Sequence, residues 1–148
     1  MRPPIPTVFQ TMAMDLMMRV IPAISPAYHQ GTIGMIASMF AMAADEWDRS
    51  ASRRIEENAR LREIFKEAAP VVSEKKLKAR LTELSKTRDD DFRISALEEN
   101  NCTLRAALIE LHKQIESQPE PGAREIEETI WKELAKSTER RRLTGAPI

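Results

Sequence analysis

Phe9, Met12, Ala13, Leu16 and Val20 recur at steps of three and four, the spacing that places side chains on one face of an α-helix. Thr7 and Gln10 stand at capping-box separation, so this first helix is predicted to start at Thr7, after a loose leader over 1–6. Pro22 is predicted to end it, because proline has no N–H and its ring crowds the preceding turn. Ser25-Pro26 then reads as an N-cap followed by a first helical residue. The second helix is predicted over about 27–68, on the order of 60 Å long, with Gly31 and Gly34 able to shift its start towards Thr32. Trp47, Ala51, Ile55, Asn58, Leu61, Phe65 and Ala69 share one side of its later turns. Asp45 with Arg49, and Glu56 with Arg60, are spaced as ion pairs on the other side. After Pro70, Ser73 is predicted to cap a short helix carrying Leu77, Leu81 and Leu84. A fourth helix runs to about Ser117, with Asp89, Asp90 and Asp91 at its positive end. A fifth, about 123–142, carries Ile126, Ile130 and Leu134 on one face, and 143–148 is left as a tail. The fold class is all-α: about five helices in one domain over 7–142, a helical bundle with a long second helix, expected to be dimeric. Within it, 7–69 is a Met-rich apolar hairpin, 73–117 is amphipathic, and 123–142 is the C-terminal helix.

The pattern breaks in one place. From Val20 to Ala44 no residue is charged, although 31% of the chain is Asp, Glu, Lys or Arg. The helical part, Thr32 to Ala44, spans only about 20 Å against about 30 Å of hydrocarbon, which argues against a membrane span. Ile33, Ile36, Phe40, Ala43 and Trp47 line one side, small residues another, and Met35, Met39 and Met42 the rest. A helix with no polar face must be surrounded. The first helix can cover one flank, and the natural cover for what remains is a second copy of the same segment, since most homo-oligomers use a twofold self-complementary patch. The expected interface or apolar pocket is therefore Met12, Leu16, Met17, Ile33, Met35, Ile36, Met39, Phe40 and Trp47.

The fourth helix has the most regular spacing. Ile94, Asn101, Leu108 and Ile115 fall on heptad a positions, and Leu97, Leu104 and Leu111 on d positions. A single Asn at a sets register in two-stranded coiled coils, and Arg93 with Glu98 are spaced to pair across a parallel dimer. The same stripe also suits packing inside the chain's own bundle, with Asn101 near the edge; that reading is preferred over the intermolecular coiled coil.

Composition adds limits. The 23 basic and 23 acidic residues cancel, so there is no overall field to attract nucleic acid or an anionic membrane. The basic runs at 75–80 and 140–142 are short, sit among acids and lack the interleaved aromatics that stack bases. The lone Cys102 excludes an intrachain disulfide, which together with a poor secretory start places the protein in the cytoplasm. All eight methionines lie at or before Met42, and a Met-rich surface adapts to irregular apolar partners.

Catalytic chemistry is not visible. The two histidines, His29 and His112, lack the helical companions of a metal site, and His112 with Glu116 one turn on reads as a surface pair. Asp89 to Asp91 do not have calcium-loop spacing, and no glycine loop could cradle a phosphate. No catalytic residue, cofactor-binding residue or metal ligand is assigned, and no cofactor is expected.

The segments "DLMMRVIPAI" and "IGMIASMFAMAADEW" resemble a family of small, uncharacterised, all-helical bacterial proteins found beside acyl-CoA dehydrogenases and phosphotransferase-like kinases. The resemblance covers the first third of the chain. It implies an accessory role near acyl-thioester metabolism and supplies no catalytic residues. The function expected is that of a non-enzymatic, self-associating interaction or accessory protein, a homodimer with room for a protein partner. The second reading is a binding protein for an apolar small molecule, such as an acyl chain, among the methionines.

Overall fold

Proline opens the first helix. In the computed structural model, which describes residues 3–25, 27–118 and 121–142, α1 (Ile5–Asp15) follows Pro4 and holds Pro6 in its first turn. Proline suits that place because its φ is already helical and no N–H is needed there. Thr7 is therefore inside the helix, two residues past the start, and makes no cap. Its carbonyl instead accepts a hydrogen bond from Thr11 Oγ1 at 2.8 Å.

Pro22 does not end the rod where expected. The chain widens into a π-helical turn, Leu16–Val20, in which the Ile21 N–H reaches the Leu16 carbonyl, and then resumes as α2 (Ile21–Ala23). The wider turn falls immediately before Pro22, whose ring would otherwise crowd the carbonyl four residues back. Only at Ile24, with ψ of 135°, does the backbone become extended.

A long helix follows, α3 (Ala27–Ala68), helical through Gly31 and Gly34. The Pro26 part of the predicted start lies outside the described residues. A Cβ at Gly34 would sit 3.8 Å from the Ile21 side chain, so the small residue admits a close neighbour; Gly31 meets nothing. Then come α4 (Lys75–Leu84), α5 (Ile94–Glu116) and α6 (Pro121–Arg140). The protein is an all-α bundle of five helical segments, with no strand among the described residues. The expected tail, 143–148, lies outside the described residues.

Two predicted caps are used otherwise. No side-chain bond caps α4, which begins at Lys75; Ser73 Oγ accepts from Gln114 Nε2 at 2.9 Å instead. Helix α5 begins at Ile94 rather than at the aspartates. Asp91 holds the turn before it, accepting from the Arg93 N–H at 2.9 Å, while Asp89 points into the bundle. Of the two ion pairs read from spacing, Asp45 with Arg49 is present at 3.8 Å, whereas Arg60 bonds Glu63 at 2.9 Å in place of Glu56.

Contacts gather the described residues into two compact units, one running up to Ser50 and the other lying within 51–141. The first is an antiparallel hairpin. The α1–α2 rod lies along the opening turns of α3, with the Phe9 and Phe40 rings 5.8 Å apart and Ala13 and Ala37 buried. Gln30 on α3 donates to the Ile24 carbonyl at 2.8 Å, satisfying a group that the end of α2 leaves without a helical partner.

The second unit holds the larger core. Leu61, Ile64, Phe65 and Ala68 of α3 meet Leu77 and Leu81 of α4, Leu104, Leu108, Leu111 and Ile115 of α5, and Ile126 and Ile130 of α6. These are the stripes read from the three-and-four spacing, brought onto one axis. Phe65 is fully enclosed. Phe65→Ala is expected to lower the stability of this unit by about 3–5 kcal/mol in urea unfolding. Ile109→Ala, on the exposed side of α5, should change it by less than about 0.5 kcal/mol.

Candidate interaction surface

The hairpin of the first unit covers only part of its apolar surface. Leu16, Ile33 and Phe40 are half-buried between the two arms. Met12, Met17, Ile36 and Trp47 are exposed, and Met35 and Met39 keep 65% and 62% of their surface in water. Those two lie one turn apart on α3 and share a face. Within the chain itself, then, the charge-free helix is covered on its small-residue side, at Ala37 and Gly34, and open on its methionine side.

Three more exposed methionines, Met14, Met18 and Met42, lie in the same hairpin and were not in the set expected from sequence. Met14 and Met18 lie off the three-and-four stripe of the first helix, so spacing alone placed them on its outer side. What marked them was residue type, since an outward face of an ordinary helix carries charge.

Beside this surface is an open groove of about 550 Å³ lined by Pro3, Val8, Met12, Leu16 and Phe40, with Thr7, Thr11 and Asp15 at its polar margin. Its lining is mostly apolar, with few groups able to orient a ligand. Tyr28 and His29 stack edge-on at 5.7 Å, and Asp15 pairs with Arg19 at 2.9 Å, so these groups have partners outside the groove.

The zipper-like stripe has a different environment. Leu97, Asn101, Leu104, Leu108, Leu111 and Ile115 are all buried within the chain, and only Ile94 is exposed. The stripe is occupied by the chain's own helices, and nearly all of the face needed for an intermolecular coiled coil is used. Arg93 and Glu98 find partners in the chain as well: Arg93 bonds Asp91, and Glu98 bonds Arg54 of α3. Cys102, beside the stripe, is exposed.

Asn101 is not at an edge. It is 1% exposed and donates through Nδ2 to Asn58 Oδ1 of α3 at 2.9 Å. Asn58 in turn donates to Asp89 Oδ1 at 3.1 Å and to the Leu97 carbonyl at 3.2 Å. Asp89 takes two further bonds from Arg62, at 2.7 and 2.9 Å, and one from Asn100 at 3.0 Å. On the other side of Asn101, Glu57 receives Arg105 at 2.6 Å and Arg141 at 2.9 Å. This layer joins α3, the 87–89 segment, α5 and the residue after α6. Each charge in it has an opposite partner, as burial demands.

The charge states follow from the partners. The Arg62 guanidinium holds the Asp89 carboxyl below its ordinary range, against the opposing effect of burial. Burial pushes the Glu57 carboxyl up, but Arg141 and Arg105 together outweigh it and hold it down. Nothing in the layer leaves a base or nucleophile poised for reaction; its geometry is that of a structural tie. Comparison with family models, curated proteins and solved structures found no match. No helix among the described residues is long and apolar enough to cross a membrane.

A carboxyl held low in the folded state contributes stability above its unfolded pKa and loses it as pH falls through the folded value. The urea midpoint is therefore expected to hold from neutral pH to about 4 and to drop below that. Asp89→Asn should flatten this acid limb and lower stability at pH 7 by about 3 kcal/mol, because Arg62 is left buried without its counter-charge.

Proposed function

We propose that this protein is a non-enzymatic, self-associating interaction module, a homodimer joined through the methionine face of its N-terminal hairpin. The observation that carries the reading is the exposure of Met12, Met17, Met35, Ile36, Met39 and Met42 on a hairpin whose 20–44 segment holds no charge. Each of these side chains keeps 42% or more of its surface in water, and a standard stable interface buries roughly 800 Å² on each side. Monomeric proteins rarely keep so much in one region. A second copy is the occupant best matched to it. The charges beside the face, Asp15 and Arg19, pair with each other at 2.9 Å and leave no net charge to select an unlike partner, and a twofold axis sets methionine against methionine without any further complementarity. The buried zipper stripe strengthens this reading, because it leaves the hairpin as the available apolar surface of the two.

The first-third resemblance fits an accessory subunit acting near acyl-thioester chemistry in the cytoplasm. A second reading rests on the groove beside Met12, Leu16 and Phe40, whose apolar lining and size suit an acyl chain.

Light scattering coupled to size exclusion is expected to give twice the chain mass of 16.9 kDa at micromolar concentration. The double change Met35→Asp and Met39→Asp should return the single-chain mass with helicity unchanged. A wild-type chain that stays monomeric over the same range overturns the proposal. Native mass spectrometry then separates the two readings: a co-purified lipid carried by a monomer supports the groove, and a ligand-free dimer supports the interface.

A further inference from the structure

The packing of α6 on α5 brings a third side chain to the His112–Glu116 pair. His112 and Glu116 lie one turn apart on α5, with Nε2 and Oε1 at 3.5 Å. Glu127 of α6 closes on them, so that one donor atom from each of the three lies within 4.8 Å of the others. His112 Nε2 is shut off from water and has no hydrogen-bond partner. A buried ring nitrogen left without a bond costs stability unless something else occupies its lone pair or its proton. Trp131, one turn beyond Glu127 on α6, meets the imidazole edge-on at 5.1 Å and fixes the ring's plane.

We propose that His112, Glu116 and Glu127 form a binding site for a divalent transition-metal ion of the zinc, cobalt or nickel type. Three protein donors from two helices, with coordination left over for water, are the usual complement of an open site. The imidazole argues for these ions over calcium or magnesium, which prefer oxygen alone. Two carboxylates cancel the ion's double charge, so the half-buried site would not hold an uncompensated cation. Donor atoms around a tetrahedral ion at bond lengths near 2.1 Å lie about 3.4 Å apart. Glu116 is exposed and Glu127 half-buried, so their side chains can close the remaining distance by rotation while Trp131 keeps His112 in place. Bound there, the ion would join α5 to α6 close to the turn between them. The site lies in the unit of residues 51–141 and does not depend on the methionine face.

Trp131 supplies the readout. Chains carrying Trp47→Phe, so that Trp131 alone emits, are titrated with Co²⁺ or Ni²⁺ at pH 7.5, and thermal unfolding is followed with and without Zn²⁺. The expected result is saturable quenching at one ion per chain and a rise in Tm of about 5–10 °C at a hundredfold excess over Kd. His112→Ala and Glu127→Gln should each weaken binding at least tenfold, and Glu128→Gln, a neighbouring carboxylate outside the cluster, should leave it unchanged. Circular dichroism confirms the fold of each variant, and Glu127→Gln, which keeps the side chain's size, decides the matter if His112→Ala unfolds. Absence of quenching with His112, Glu116 and Glu127 all intact overturns the proposal. Quenching that survives Glu127→Gln also overturns it, by reducing the site to an ordinary surface histidine.

Discussion

Asn58 and Asn101 face each other at 2.9 Å where water does not reach, and the second unit is organised around that meeting. An amide buried without partners costs more than a hydrogen bond returns, so each of these side chains dictates what lies near it. Asn58 requires acceptors, and Asp89 and the Leu97 carbonyl provide them. Asp89 requires a cation, and Arg62 reaches it with two parallel bonds. Only one register of α5 on α3 satisfies all of these at once. The polar layer therefore contributes uniqueness of arrangement, while the apolar core supplies most of the driving force.

The first unit follows another logic. Its hairpin is joined by small residues, by the Phe9–Phe40 contact and by Gln30 at the end of α2. Dispersion and burial hold it, and neither is directional. Methionine suits such a place because it packs without demanding a fixed shape. One unit is thus specified in detail and turned inward. The other is loosely specified, and its exposed apolar surface is the part that the proposed interface uses.

Local capping signals were the least dependable guide along the chain, for a physical reason. Thr7, Ser73 and Asp89 all stand where a helix start would use them, yet each bonds elsewhere or sits inside a helix. A cap competes with any other donor or acceptor that folding brings close, and Gln114 and Arg62 come from 41 and 27 residues away. Pro22 is similar: its missing N–H was plain, but a π-helical turn just before it absorbed the steric conflict.

The periodic spacing of apolar residues determined the helices, their order and the faces they would bury, because a stripe repeated at three and four can hide only one side of a helix. The absence of charge from 20 to 44 likewise marked the surface that needs covering. Which face met which was decided by the tertiary structure. Asn101 reads as a coiled-coil register residue until Asn58 stands opposite, and His112 with Glu116 reads as a surface pair until α6 delivers Glu127. Hydrophobic periodicity is local and survives in the sequence alone. Polar partnership depends on distances between residues far apart in the chain, and those exist only once the helices have packed.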